Sequence, residues 1–379
     1  MLVKASALWL PSNVKFVISA THPLSGGIES PVEFESMYRL SRPDFLLSDE
    51  EAIQFLEFSD IGLPQKMRNF SCLKSILVKE AGGLVAALRI AVDSLTQEFI
   101  KDYEPTETAL LQYCFSNIFV RRMSRCFGSK HSNPIGDDFK NFLKKTFVDK
   151  RTKSTSFTSK EDEKSYSSLK KAGILVEFPG ETFGFSSLLA KRYYFKWIFP
   201  NRCEENPSSL TELIKNAISN MSATTLENST VSGDFPKEAV FQHLFMEGLA
   251  TFTPPDCCIC PELSKIFPEP ASSKTQNVIA GEIDFYLNGN LRWGIELVVN
   301  GDRIGEHIDR FAVPRGKYAP LAVNGYAVVD FRASSTGLPT EIKPHENRIT
   351  VFFEKGGDYS IAQCIFGLNK DPVQIHLSN

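Results

Sequence analysis

Residues 281–300, GEIDFYLNGNLRWGIELVVN, hold two stretches of period-two alternation around a single turn. In residues 282–287, Ile283, Phe285 and Leu287 fall on one side and Glu282, Asp284 and Tyr286 on the other, the pattern of a half-buried strand. Asn288, Gly289 and Asn290 tolerate the positive φ that a hairpin loop needs. In residues 291–300 the alternation resumes, with Trp293, Ile295, Leu297 and Val299 opposite Gly294, Glu296, Val298 and Asn300. The expectation is a β-hairpin whose less apolar side carries Asp284 and Glu296 on neighbouring strands of one sheet.

Two carboxylates held close together repel, and a divalent cation that prefers oxygen relieves the repulsion. Asp284 and Glu296 are therefore candidate Mg²⁺ ligands, and the metal would activate a water and offset charge on a scissile phosphate. The competing reading is a pair of solvated carboxylates on the wet side of a hairpin. Residues 302–311, DRIGEHIDRF, bear on the choice: Ile304, Ile308 and Phe311 share one helical face, and Arg303, His307 and Arg310 share another. Two guanidinium groups and an imidazole suit phosphate oxygens. The same face also reads as a solvated one, with a Glu306–Arg310 pair worth about 0.3–0.5 kcal/mol. Residues 237–249, KEAVFQHLFMEGL, predict an amphipathic helix, and residues 326–332, YAVVDFR, predict an apolar strand ending in charge. The order is helix, two strands, helix, strand.

These segments, EAVFQHLFMEGLA, GEIDFYLNGNLRWGIELVVNGDRIGEHIDRF and YAVVDFR, resemble the C-terminal region of Crinkler-type proteins, the modular effectors and toxins of oomycetes and fungi. The resemblance covers most of residues 237–332. It implies a PD-(D/E)xK, restriction-endonuclease-like domain in which Asp284 and Glu296 hold Mg²⁺ and the protein is a nuclease acting on DNA or RNA. Such a site would carry a lysine two positions after the glutamate, and Val298 stands there. Valine neither donates a proton nor offsets phosphate charge, so catalysis would draw its basic group from Arg303, His307 or Arg310. A catalytically inactive nuclease fold that binds nucleic acid or a host protein is the other reading. The resemblance further implies export and action in a host cell, the nucleus included.

The first two hundred residues carry a different pattern. Residues 14–21, VKFVISAT, predict a strand, and Ser48 before Asp49, Glu50 and Glu51 predicts a helix start. A second helix over residues 73–79 leads to Gly82-Gly83-Leu84 and a further helical run. This order resembles the later half of a signal-transducing P-loop ATPase with its helical lid. Residues 170–187 resemble the helix end and wing strands of a winged-helix module. No G-x-x-x-x-G-K-[ST] occurs, so no loop offers its amides and a lysine to a triphosphate, and no ATP site is expected. Residues 1–95 then read as a partial ATPase remnant with its lid, 96–200 as a winged-helix-like helical domain, 201–236 as a linker with a short helical piece over residues 210–221, and 237–379 as the restriction-endonuclease-like domain. The expected class is α/β (α+β), with a mixed sheet flanked by helices in the last part.

A net charge of −3 does not suit a chain that coats nucleic acid, so any such contact would come from a local patch; residues 140–160 hold scattered lysines near Phe142, Phe147 and Phe157. The eight cysteines form no disulfide framework and no paired zinc spacing; Cys257, Cys258 and Cys260 read as reduced thiols in a Pro-bounded loop. No apolar run reaches the roughly 18 residues of a membrane helix, and no secretory leader is visible.

Overall fold

The computed structural model describes residues 45–127, 137–147, 152–153, 157, 159–230, 235–261, 263, 283–301, 303–313, 316–334, 345–354, 359–368 and 371–379. The strand expected over residues 14–21 lies outside them. The fold is mixed α/β: a helical part with a small sheet, then a seven-stranded mixed sheet flanked by helices.

The helical part opens with α1 (Asp49–Glu57), where Ser48 and Glu51 cap one another: Glu51 N–H donates to Ser48 Oγ at 3.2 Å and Ser48 N–H to the Glu51 carboxylate at 2.8 Å. Helix α2 (Ser71–Ala81) stops at Gly82, whose φ of 58° is left-handed. At Gly83 a Cβ would lie 2.6 Å from the Leu47 carbonyl, so glycine there lets the chain before α1 lie against the turn. Helices α3 (Val85–Glu98), α4 (Glu107–Cys114), α5 (Asn117–Arg122), α6 (Ser124–Phe127) and α7 (Asp137–Phe147) follow. Strand β1 (Thr152–Lys153), α8 (Lys160–Lys171), β2 (Leu175–Phe178), β3 (Thr182–Phe185) and α9 (Leu188–Ile198) complete the part, the strands lying in the order β1-β3-β2. Phe142, Tyr166 and Phe183 form the aromatic centre beneath this small sheet, with Tyr166 and Phe183 centroids 4.6 Å apart. A buried ion pair ties α9 to α2: Arg192 Nε donates to Glu80 Oε2 at 2.9 Å, and its Nη1 donates to the Cys114 carbonyl at 3.0 Å.

The stretch read as a linker is largely folded. Helices α10 (Leu210–Ser219) and α11 (Ala223–Ser229) bury Leu213, Ile214, Ala217, Ile218 and Leu226, and α10 packs on α12 (Glu238–Thr251). Its Ser, Asn and Thr content is cap chemistry: Ser209 and Ser222 accept the N–H of Glu212 and Thr225 at the two helix starts. Helix α12 then covers one face of the large sheet, with Phe241 stacked on Phe331 at 4.2 Å and Phe245 beside Phe285 at 6.0 Å.

The large sheet holds β4 (Ile259–Pro261), β5 (Phe285–Leu287), β6 (Trp293–Val299), β7 (Gly325–Ser334), β8 (Arg348–Glu354), β9 (Ile361–Phe366) and β10 (Val373–His376), side by side in sequence order. Strands β6, β7 and β8 run parallel, and the remaining pairs are antiparallel. Helix α13 (Ile304–Asp309) lies in the β6–β7 crossover. In the β6–β7 register Glu296 faces Val328 and Val298 faces Asp330, so these four side chains share the face opposite α12. That face is dry at both acidic positions: Glu296 and Asp330 each have 0% exposure.

Candidate functional site

The hairpin forms with the alternation expected of it, β5 and β6 pairing Phe285 with Ile295 and Leu287 with Trp293. Continued by one residue, that register sets Asp284 opposite Glu296. Asp284 stands just before β5, and its carboxyl turns inward: Oδ2 accepts the Leu297 N–H at 2.6 Å and Oδ1 accepts Gln242 Nε2 of α12 at 2.7 Å. It thereby supplies Leu297 with an acceptor where the short strand β5 no longer does. Burial, and next the negative charge of Glu296, push the Asp284 carboxyl well above the usual carboxylate range, against the two hydrogen bonds that favour its charged form. Burial outweighs them.

Glu296 lies under α13 and the turn that follows it. Gly294 makes this possible, because a Cβ there would stand 2.4 Å from the Phe311 ring, and Phe311 in turn stacks on Tyr326 at 4.3 Å. Anchored by that ring, the segment places Arg310 Nη1 at 2.9 Å from Glu296 Oε2, and His307 Nδ1 meets the same oxygen. Arg310 Nη1 is also 3.1 Å from His307 Nδ1. Both basic groups thus converge on Oε2, while Oε1 is buried with no hydrogen-bond partner among the described residues. Burial by itself would weaken the Arg310 cation, but Glu296 and, after it, Tyr318 together more than offset this and raise it above the ordinary value.

Of the five residues expected at the site, Glu296, His307 and Arg310 meet at one carboxylate oxygen; Asp284 is held instead by Leu297 and Gln242 and feels Glu296 through its charge, and Arg303 is not part of the cluster. Arg303 has φ 44°, left-handed, and stands before the first turn of α13, so the helix starts later than the sequence pattern suggests. Its side chain is 60% exposed and faces Glu306 at 3.7 Å, away from Glu296. The Glu306–Arg310 pair expected on a solvated face is replaced by the buried Glu296–Arg310 pair, and the picture of carboxylates on a wet side fails at Glu296. Val298, at the position where a lysine would be expected, is 1% exposed and apolar.

Sequence reasoning missed a second cluster on the same face. Asp330 Oδ1 accepts the Gly301 N–H at 2.7 Å, and Oδ2 accepts Arg332 Nε at 2.6 Å and Arg348 Nη2 at 2.7 Å. The signal was a lone aspartate inside the apolar run YAVVDFR, which a buried strand carries only where partners wait for it. Gln242, on α12, was missed because nothing in an amphipathic pattern marks a polar residue as a carboxylate partner.

Among the described residues, no group of three or more His, Cys, Asp and Glu side chains is arranged to hold a metal ion. Within residues 140–160, Lys144 lies 3.5 Å from Glu247, and Lys150 and Arg151 fall outside the described residues. No described helix is long and apolar enough to cross a membrane. Comparison with protein-family models, curated proteins and solved structures finds no match to this chain.

Proposed function

We propose that the protein is a Crinkler-like effector whose nuclease-fold domain binds nucleic acid or a host protein, the carboxylate hairpin having become an internal ion cluster in place of a metal site. The observation that carries this reading is Arg310 seated on Glu296 at 2.9 Å inside the fold. The order α12, β4, β5, β6, α13, β7 contains the helix, hairpin, helix and strand of the restriction-endonuclease-like core that the resemblance implies, with the short strand β4 added before the hairpin. The chemistry of the pair, by contrast, departs from what a metal needs.

Mg²⁺ demands near-octahedral oxygen ligands and keeps several waters. Here both oxygens of Asp284 are engaged by donors, burial holds its carboxyl above the usual carboxylate range, and one oxygen of Glu296 is held by two basic side chains. A cation approaching Glu296 would meet the Arg310 charge at the same carboxylate. The residues therefore do not fit Mg²⁺ in this arrangement. Val298 is apolar, and Arg303 pairs with Glu306 and not with Glu296.

A second reading, a metal-dependent phosphodiesterase, draws support from one observation: the unpartnered Glu296 Oε1, an open buried acceptor of the kind a ligand completes. It would need Arg310 to leave Glu296. The two readings separate in one experiment on the full chain, incubated with labelled single- and double-stranded DNA and RNA, with and without Mg²⁺. The binding reading expects no metal-dependent cleavage, and any oligonucleotide binding seen by fluorescence anisotropy to persist in Asp284→Ala. Mg²⁺-dependent cleavage abolished by Glu296→Gln, in protein that remains folded, overturns it.

A further inference from the structure

Outside the carboxylate clusters, the densest group of reactive side chains lies where the helical part meets the edge of the large sheet. Strand β4 is that edge strand, and Cys260 sits within it, not in the loop expected from its flanking prolines. Cys258 precedes it by two residues, so the two side chains share one side of an extended segment. Their sulfur atoms are 4.0 Å apart, in mutual hydrogen-bond contact. Cys258 also lines a cleft between α5, α9 and the segment before β4, together with Cys257, Arg121, Arg192, Lys196 and Arg202.

The charges around the pair are unequal. Arg192 faces it from α9, partly balanced by Glu80. Arg202 spends its donors on neutral carbonyls, those of Ala250, Thr253 and Cys257, at 3.0–3.2 Å. Asp256 is the other nearby acid, acting on Cys257 and Arg202. No carboxylate side chain lines the cleft itself. The three neighbouring thiols are thereby differentiated. Cys257 points away, its Sγ 3.6 Å from the Asn288 carbonyl, and burial pushes it up to about 12. Cys258 is pulled below the ordinary thiol value, first by the hydrogen bond from Cys260 and then, against burial, by Arg192. Cys260 is driven well above it by burial and by that same bond. Cys258 lines the cleft and Cys260 lies behind it in the edge strand with the two sulfurs 4.0 Å apart, the placement of an attacking thiol and a resolving thiol.

We propose that Cys258 and Cys260 are a modification site for hydroperoxides, closing to a Cys258–Cys260 disulfide through chemistry that begins at Cys258 in the basic cleft. In the first step the Cys258 thiolate attacks one oxygen of hydrogen peroxide, the O–O bond breaks, and Cys258 sulfenic acid and hydroxide form. In the second, the Cys260 sulfur attacks Cys258, the S–S bond forms and the S–O bond breaks. Hydroxide departs and takes up the Cys260 proton as water. The protein loses two hydrogens, and one peroxide becomes two waters. Cys258 is a buried residue of the cleft wall, so the oxidant it admits is small and neutral, as hydrogen peroxide is.

The test is peptide mapping of the full chain by tandem mass spectrometry after graded hydrogen peroxide and alkylation, with exposed Cys203 as the internal standard for oxidant delivery. The expected result is a Cys258–Cys260 crosslink that persists in Cys257→Ser and vanishes in Cys258→Ser. In Cys260→Ser a sulfenic acid at Cys258 should be trapped by a 1,3-dicarbonyl probe. Before oxidation, Cys258 should alkylate on the order of a hundredfold faster than the buried thiols Cys114 and Cys364, because thiolate fraction outweighs the fall in intrinsic nucleophilicity. Two outcomes in the wild-type chain overturn the proposal: Cys258 and Cys260 both reduced at a dose that oxidises Cys203, or a crosslink that joins Cys257 instead.

Discussion

Asp330 and Glu296 stand on neighbouring parallel strands, on the same sheet face, each without solvent exposure and each beside two basic side chains. Asp330 spreads its partners over both oxygens, one from a backbone amide and two from arginines. Glu296 receives both partners on one oxygen and leaves the other bare. A buried charge is tolerated where its remaining lone pairs are satisfied. Asp330 meets that condition as a structural centre, joining β7, β8 and the turn after β6. Glu296 meets it in part, so the difference separates a finished salt bridge from an acceptor with spare capacity.

The largest effect expected from this contrast is at Asp330. Asp330→Ala strands Arg348, buried, and Arg332, and should cost about 3–5 kcal/mol in urea unfolding. A loss no greater than that of Glu296→Ala would break the comparison. Glu296→Ala, which leaves Arg310 without its counter-charge, should cost about 3 kcal/mol, and pairing Glu296→Leu with Arg310→Met should recover most of it. If the apolar double variant stays as unstable as the single one, the cluster is held by more than its charges.

Asp284, held by Gln242 of α12, is tested by pH. Its folded-state carboxyl is raised above the unfolded value, so its contribution is fully present below the ordinary carboxylate range and is lost as pH rises through the raised value. Unfolding free energy should therefore decline with rising pH above that range, and Asp284→Asn should flatten the decline. An unchanged slope in the variant would assign the pH dependence elsewhere. The smallest effect is expected at Arg303, exposed and in a left-handed conformation: Arg303→Gly should move stability by no more than about 0.5 kcal/mol, since relief at φ 44° opposes the entropy glycine adds to the unfolded chain. A loss above about 1 kcal/mol, roughly fivefold in the unfolding constant, would bring Arg303 back toward the Glu296 cluster.

Much of the sheet was legible because alternation survives burial. The hairpin and β7 begin or end within a residue or two of their patterns, and α12 follows its amphipathic run. The misreadings have separable causes. Alternation says which side of a strand is polar but not whether that side is wet, and α13 covers it here. Helical periodicity grouped Arg303 with His307 and Arg310, but the left-handed residues Asn300, Gly301 and Arg303 delay the helix. Serine-rich composition in residues 201–236 reads as linker when the serines are spread along a chain, yet as helix caps once Leu213, Ile214 and Leu226 are buried between them. The contacts of Gln242 and Arg348 arise between elements distant in sequence, which no local pattern encodes.

The large sheet is laid down strand by strand in sequence order, yet its last strand returns to where the region begins. Ser378 N–H donates to the Met221 carbonyl at 3.0 Å, and Ala223 N–H donates to the Ser378 carbonyl at 2.8 Å. Entry to and exit from the segment between them are thus side by side, a seam like the clasp of a bracelet. A unit with such a seam can be spliced into a host surface loop, or reopened elsewhere and rejoined at the clasp, with little strain on its interior. In evolutionary terms, that makes this sheet a portable cassette.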